Sequence, residues 1–588
     1  MTPPLLCIML LLGGSKPPPY TNINWYYLQS QRSSTIQHSA FSIQHSVKQT
    51  PIYRVLFILF NNGIFICILS VIVLSYNLDY YVILVNGMFK LKDFIKLFKD
   101  NEIFVSADCD ENAEIGYISY NSRDIKPDTL FLCKGLHFKE QFLCDSLSKG
   151  AVAYVSEKKY DVQAPAVIVS DIRRAMYLMA NFFYGNAWQK LNLVGITGTK
   201  GKSTTAYFLK YVFDEHLKSS GKKSGLMSTL EIYDGVVNEE STLTTPEPFE
   251  LHKHFDNAVK SGLSLFTMEV SSQALKYGRT AGVEFQFGCY LNIGIDHISA
   301  VEHPDFDDYF NSKMKLFSQC KTAVINLDSD KSEDVIKASK NAPEVITFST
   351  QNENADVYAY NIRKDGSDTV FTVKTNSFTE DFALSIPGLF NVSNALCAIA
   401  VCEKLGIPAE TIRTGLYNSR TAGRMEVYES KDKKIAVIVD YAHNKLSFEN
   451  LFESVRKEYP DRHVSIAFGC PGNKAIIRRK DMGEVSGRLA DFVYITEDDP
   501  AEENLMDICK VIAGYVENAG GKDKYKIIPD RGEAIKTAIE EAKGESVILL
   551  AGKGAETRQK RGLNSEPYES DAYFAQKYLK EYDERQGN

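Results

Sequence analysis

The chain has 588 residues, too many for one hydrophobic core, and at roughly 100–200 residues per domain it should divide into about three domains. Its apolar fraction of 44% and charged fraction of 24% are those of an ordinary globular protein. A formal charge of −8 gives no basic footprint, so no nucleic-acid partner is expected, and any anionic substrate must be met by local cations. The 11 cysteines include no CxxC pair and no metal-ligand spacing, and an odd count without a framework reads as reduced thiols in a cytoplasmic protein.

Residues 1–87 differ in texture from the rest. The apolar run at 5–12 resembles the core of a signal peptide but has no charge before it. The run at 55–76 is long enough to span a bilayer, although Asn61, Asn62 and Gly63 interrupt it. It reads either as a membrane anchor or as part of an over-extended gene start with translation beginning at Met88. The second is the expectation, and with it no membrane partner.

From Met88 short apolar runs alternate with helix-period segments, the mark of strand–helix units and largely parallel sheets. Buried strands are expected at 191–197, 265–270, 436–440, 464–468, 492–496 and 547–551, and a helix-period stretch at 394–416. Several strands end in a polar or glycine-rich turn, where ligands gather in open α/β sheets. Joints before Leu191 and near 420–425 give expected domains of 88–190, 191–418 and 419–588.

The sharpest chemical signal follows the strand at 191–197. Gly198-Thr199-Lys200-Gly201-Lys202-Ser203-Thr204 leads into a helix with apolar positions at Ala206, Leu209, Val212 and Phe213. Glycines let the backbone wrap a phosphate, so that N–H groups and the helix N-terminus face the anion. Lys202 would reach the β- and γ-phosphates of ATP, and the Ser203 hydroxyl would bind Mg²⁺. The usual spacing asks for glycine at position 196, which here is Ile196, so this is a variant loop. Met268-Glu269-Val270-Ser271-Ser272 ends another strand, which puts the Glu269 carboxylate, a hard oxygen donor suited to Mg²⁺, at the sheet edge.

These segments resemble the Mur ligases and their folylpolyglutamate synthase relatives, and the resemblance runs from Met88 to the C-terminus. It implies an α/β fold of three domains: one binding the UDP substrate, a central P-loop ATPase domain of mostly parallel sheet, and a Rossmann-like C-terminal domain binding the amino acid. The phosphate-loop residues Gly198 to Thr204 resemble the family's ATP site. Asn292, in the strand end before Asp296-His297, is similar to its TN…DH segment, and Asn391 and Asn394 to asparagines near the adenine. Arg424, Asp440 and His443 match segments that close over the nucleotide, although Asn444-Lys445 follows where the family has Thr-Pro. By the same resemblance Glu269, His297 and Lys313 join Ser203 as ligands of two Mg²⁺ ions, with Lys313 carbamylated and Lys315 its nearest rival; Lys202, Glu269, His297 and Lys313 are the catalytic set.

For the substrate, Ser122 in Asn121-Ser122-Arg123 is similar to a uridine-contacting segment, with Asn121 in place of the family's acid. Thr244 and Thr245 resemble the TTP loop that binds the muramyl peptide, joined by Ser271, Tyr277 and Arg279; Gln273 replaces a histidine common after the two serines. Arg479 falls on the arginine that holds the incoming amino acid's α-carboxylate, and Gly552 and Glu556 on positions at its side-chain end. Asp498-Asp499-Pro500-Ala501 occupies the selecting loop, which in diaminopimelate-adding members reads Asn-Pro-Arg at its last three positions. Ala501 removes that cation and the aspartates favour a terminal ammonium, so the resemblance implies a ligase adding a diamino acid, L-lysine first and L-ornithine next, to UDP-N-acetylmuramoyl-L-alanyl-D-glutamate. A free amino acid and that UDP-linked dipeptide are the expected partners, and the expected state is a cytoplasmic monomer. The alternatives are the meso-diaminopimelate-adding ligase, a folylpolyglutamate or cyanophycin-type ligase, and a non-enzymatic P-loop module.

Overall fold

The computed structural model describes residues 38–42, 54–60, 63–66, 89–135, 138–296, 298, 302–366, 368–388, 390–473 and 476–586. It separates into two units, Met1–Met88 and Phe89–Asn588. In the first, His38–Ser42, Arg54–Phe60 and Gly63–Ile66 form an antiparallel three-stranded sheet. The described part of the 55–76 run is therefore a pair of strands rather than one spanning helix. Among the described residues no helix is long and apolar enough to cross a membrane.

The second unit is built on three sheets, each with helices and apolar cores on both faces, the layering that strand–helix alternation dictates. Phe104–Asp108, Ala166–Val169, Ala151–Ser156, Thr129–Leu132 and Tyr117–Ser119 lie side by side in the first, parallel except for the outer Phe104–Asp108. The central sheet has 11 strands among the described residues. Its parallel middle runs Gly225–Met227, Leu265–Glu269, Asn192–Thr197, Phe285–Tyr290, Cys320–Asn326, Glu344–Ser349 and Val357–Asp365, with antiparallel strands added at both ends. The third sheet orders Glu426–Glu429, Ile435–Asp440, Ser546–Ala551, His463–Phe468, Phe492–Ile495 and Tyr525–Ile527, only its first pair antiparallel.

The expected strands all form. The expected single helical stretch at 394–416 is two helices, Asn391–Lys404 and Ala409–Asn418. Gly406 takes φ +73° and Pro408 follows, which ends one helix and starts the next.

One ion pair fixes the end of the third sheet. Arg531 and Asp571, both without exposed side-chain surface, meet through Nε at 2.8 Å and Nη2 at 2.7 Å. Nη2 also donates to the Ala551 carbonyl at 2.9 Å and Nη1 to that of Glu497 at 3.3 Å, so the guanidinium ties together the ends of the two strands that flank His463–Phe468. Asp571→Ala leaves this buried cation without its partner and should cost about 3–5 kcal/mol of stability, measured by chemical denaturation. A loss below about 1 kcal/mol would contradict the assignment.

Candidate active site

The strand Asn192–Thr197 delivers the chain into the phosphate loop, and the helix Lys202–Leu217 starts directly after Gly201. Gly201 has φ +85°, and a Cβ there would fall 2.2 Å from Asn394 Oδ1, so two separate constraints demand glycine. Asn292 holds the loop from the next strand end: Oδ1 accepts from Lys200 N–H at 2.9 Å and Nδ2 donates to the Lys200 carbonyl at 3.1 Å. Thr199 Oγ1 accepts from Gly294 N–H at 3.0 Å and pairs with the Tyr309 hydroxyl at 3.0 Å.

Three lysines crowd this loop. Lys202 Nζ donates to the carbonyls of Gly198 at 2.9 Å and Thr199 at 3.3 Å, and Lys313 Nζ donates to the same Gly198 carbonyl at 2.9 Å. Lys313 is only 2% exposed, whereas Lys315 points to solvent. Burial, with Lys202 and Lys200 nearby, pushes the Lys313 ammonium well below its ordinary range. Burial also lowers Lys202, against the pull of Glu269 and Asp296, and brings Lys200 down to about 8. Neutral amine is thus far more accessible at Lys313 than on an exposed lysine.

Glu269, 1% exposed, ends the strand beside the loop. Its Oε1 accepts from the Ser203 hydroxyl at 2.8 Å and the Thr229 N–H at 2.8 Å, and Oε2 from the Thr229 hydroxyl at 3.1 Å. A hydroxyl and a carboxylate oxygen side by side at the mouth of a phosphate loop are the donors a hard divalent ion takes when phosphate and water complete its shell. The Ser203–Glu269 pair therefore fits Mg²⁺. No group of three or more His, Cys, Asp or Glu among the described residues could hold a metal, and a site completed by phosphate oxygens needs none. His297, the expected ligand of a second ion, lies outside the described residues.

The third sheet reaches this loop. Arg424 Nη2 lies 3.5 Å from Ser203 Oγ, its guanidinium 4.6 Å from the Tyr441 ring centre, and its buried Nε has no hydrogen-bond partner. Asp440 accepts from the N–H groups of Met425 at 2.9 Å and Ala442 at 2.8 Å, which shapes the turn carrying Arg424. His443 Nδ1 lies 2.7 Å from the Tyr441 carbonyl, and burial keeps its ring well below the usual histidine range, hence neutral. Asn391 and Asn394 are buried and bonded to each other at 3.0 Å, with Asn394 against Gly201.

On the substrate side, Thr245 Oγ1 donates to the Glu269 carbonyl at 3.0 Å and accepts from Ser271 N–H at 3.0 Å, and the Thr229 and Thr244 hydroxyls lie 3.2 Å apart. Arg279 Nη1 donates to the Thr245 carbonyl at 3.0 Å and Nε meets Glu247 at 2.9 Å. Glu247 in turn pairs with Lys134 of the first sheet, and Arg173 lies over the Tyr277 ring at 4.1 Å. Ser122 is held in the first sheet's loop, its carbonyl accepting from Lys149 at 2.7 Å. The sequence reading missed Thr229, Glu247 and Lys134; none lies in a recognisable motif.

A second cluster gathers around the ends of the third sheet's strands. Arg479, 5% exposed, grips Glu503 at 2.7 Å through both Nη1 and Nη2, while its buried Nε keeps no partner. That pairing holds the Glu503 carboxyl down at about 2. Lys553, fully buried and also absent from the sequence reading, bridges Glu556 at 2.9 Å and Asp499 at 3.1 Å. A Cβ at Gly552 would stand 3.0 Å from Asp498 Oδ2, so glycine leaves that carboxylate its room. Burial raises both Asp498 and Glu556 against the pull of Lys553. Ala501, at φ +52°, is tied by its N–H at 3.1 Å and its carbonyl at 2.8 Å to the hairpin at Lys560 and Gly562. Lys474 lies outside the described residues.

A phosphate loop, oxygen donors that fit Mg²⁺ and an acidic cluster on an opposing sheet fit a nucleotide-dependent acid–amine ligase. Residues 196–402 match the Mur ligase middle domain and residues 423–554 the Mur ligase glutamate ligase domain. The chain is 38% identical over 482 residues to the UDP-N-acetylmuramoyl-L-alanyl-D-glutamate–L-lysine ligase of Enterococcus faecalis, covering 79% of this chain and 92% of that one. It is 37% identical over 471 residues to the same-named ligase of Streptococcus thermophilus, again covering 79% and 92%. Among solved structures, a UDP-N-acetylmuramoyl-L-alanyl-D-glutamate–2,6-diaminopimelate ligase matches at 22% identity and TM-score 0.57, over 85% of this chain and all of that one. MurF from Acinetobacter baumannii matches at 17% identity and TM-score 0.58, over 84% and 99%. The chain belongs to the Mur ligase family, is an ATP-dependent ligase, and has that family's three-domain α/β architecture.

Proposed function

We propose that this protein joins L-lysine through its α-amine to the γ-carboxyl group of the D-glutamyl residue in UDP-N-acetylmuramoyl-L-alanyl-D-glutamate, as a monomer in the cytoplasm. The observation that carries the reading is the convergence of Lys202 and Lys313 on the Gly198 carbonyl, beside the Ser203–Glu269 pair. The roles follow the sheets: uridine at Ser122 within 88–190, nucleotide and muramyl dipeptide within 191–418, amino acid within 419–588.

The γ-carboxylate oxygen attacks the γ-phosphorus of ATP, the bond to the β–γ bridging oxygen breaks, and ADP leaves. The α-amine then attacks the acyl carbon, the bond to phosphate oxygen breaks, a proton is lost, and amide and phosphate are released. Lys202 neutralises charge on the transferred group, and Arg424 approaches it from the opposing sheet with an unpartnered Nε to offer. Mg²⁺ held by Ser203 and Glu269, and by His297 with carbamylated Lys313, would add further charge neutralisation. Enclosure between two sheets keeps water from the acyl-phosphate.

Thr244, Thr245, Ser271 and Arg279, joined by hydrogen bonds beside Glu269, would hold the dipeptide together with Tyr277. The unpartnered Nε of Arg479 is available to the α-carboxylate. Asp498, Asp499 and Glu556 outnumber Lys553, which suits a terminal ammonium better than a second carboxylate. Phosphate release from ATP, measured across a panel of amino acids, should require both the UDP-linked dipeptide and an amino acid and be fastest with L-lysine. Release independent of either substrate would contradict the proposal.

A further inference from the structure

Asn444, directly after Asp440-Tyr441-Ala442-His443, makes a contact between the central and third sheets. Asn444 caps the helix Lys445–Glu458, its Oδ1 accepting from the Ser447 N–H at 3.0 Å. The other end of the same amide, Nδ2, donates to Asp296 Oδ2 at 2.8 Å. Asp296 in turn lies 3.7 Å from the Lys200 ammonium. Two residues along, Leu446 approaches Gly294 so closely that a Cβ at Gly294 would fall 2.7 Å from Leu446 Cδ2. Gly294 donates its N–H to Thr199 Oγ1. Residues 444–446 thus lie directly on residues 294–296, and both halves of this contact lead to the phosphate loop, one through Lys200 and the other through Thr199.

We propose that Asn444 is a positioning residue whose amide, by donating to Asp296, holds the third sheet closed over the phosphate loop and fixes Lys200 and Arg424 for phosphoryl transfer. Threonine in its place can still cap the helix, somewhat less well than asparagine, but has no N–H to donate, so the bond across the sheets needs the asparagine amide. A donor to a half-buried carboxylate makes the stronger, charge-assisted kind of hydrogen bond. The proposal rests on the ATP-dependent ligase reading above.

The test is an exchange. Asn444→Asp keeps a good helix cap but sets two carboxylates face to face, which should lower kcat/KM for ATP about tenfold or more. It should also reduce amide-exchange protection of residues 198–205 with a bound ATP analogue, and raise the fraction of ATP hydrolysed without amide formation. Adding Asp296→Asn restores the pair with donor and acceptor exchanged and should recover most of the loss of Asn444→Asp. Asn444→Thr should fall between the wild type and Asn444→Asp at an unchanged melting temperature, and it carries the test should Asn444→Asp not fold. Wild-type ligation matched by Asn444→Asp, or by Asn444→Thr in that event, overturns the proposal, as does a double variant no better than Asn444→Asp alone. A wild-type protein that does not ligate at all fails the functional reading instead, before any variant is compared.

Discussion

Lys202→Ala should lower kcat by on the order of 10²–10³-fold or more while leaving the fold intact. The ammonium is half-buried and its hydrogen bonds go to the loop carbonyls of Gly198 and Thr199, so its charge serves the loop and what the loop binds rather than a distant core. A loss of that size corresponds to about 3–4 kcal/mol of transition-state stabilisation, the scale of one preorganised charge in a water-poor site. Steady-state kinetics with a melting curve on the same sample checks it. Turnover near the wild-type level would remove the phosphate loop from the mechanism.

Lys313→Ala should be nearly inactive and partly restored by a short carboxylic acid added in solution. Lys313 is buried and close to two other lysines, which disfavours its ammonium form. Its neutral amine can take up CO₂ and release a proton, leaving a carbamate whose negative charge those same cations stabilise. Replacement by alanine leaves a space that a small carboxylate can enter. Labelled bicarbonate should give a carbamate carbon signal in the wild type that is lost in the variant. A fully active Lys313→Ala protein, or an active wild type with no such signal, would contradict it.

Much of this was legible in the sequence because it is local. The strand at 192–197, the glycines and Lys202-Ser203 fall in one short stretch, and backbone geometry dictates their use. The break at Gly406-Ile407-Pro408 was missed because apolar residues keep a helical rhythm on both sides of it. The hairpin Arg558–Arg561 with Asn564–Pro567 was not visible, since its strands carry charged and polar residues without apolar alternation. Thr229 on Glu269, Lys553 between two carboxylates, and Asn444 on Asp296 join residues at least tens of positions apart by folding alone, or occur as common residue types in no motif. Ile196 in place of the usual glycine is equally a matter of the fold: it packs in the core beneath the loop, and the wrap begins two residues later.

The central claim is that this ligase selects a cationic side chain, and one competition measures it. L-Lysine and meso-diaminopimelate are supplied together, in equal amounts, with ATP and UDP-N-acetylmuramoyl-L-alanyl-D-glutamate, and the two tripeptide products are separated by mass. Ala501 leaves no arginine for a second carboxylate, and two cations of this cluster are committed, Arg561 to Glu497 and Glu566 and Lys553 to Asp499 and Glu556. Rejection of an unpaired buried carboxylate should amount to several kcal/mol, on the order of a hundredfold or more in favour of the lysine product. Ala501→Arg should narrow that ratio. A reaction mixture in which the diaminopimelate product predominates would contradict the account.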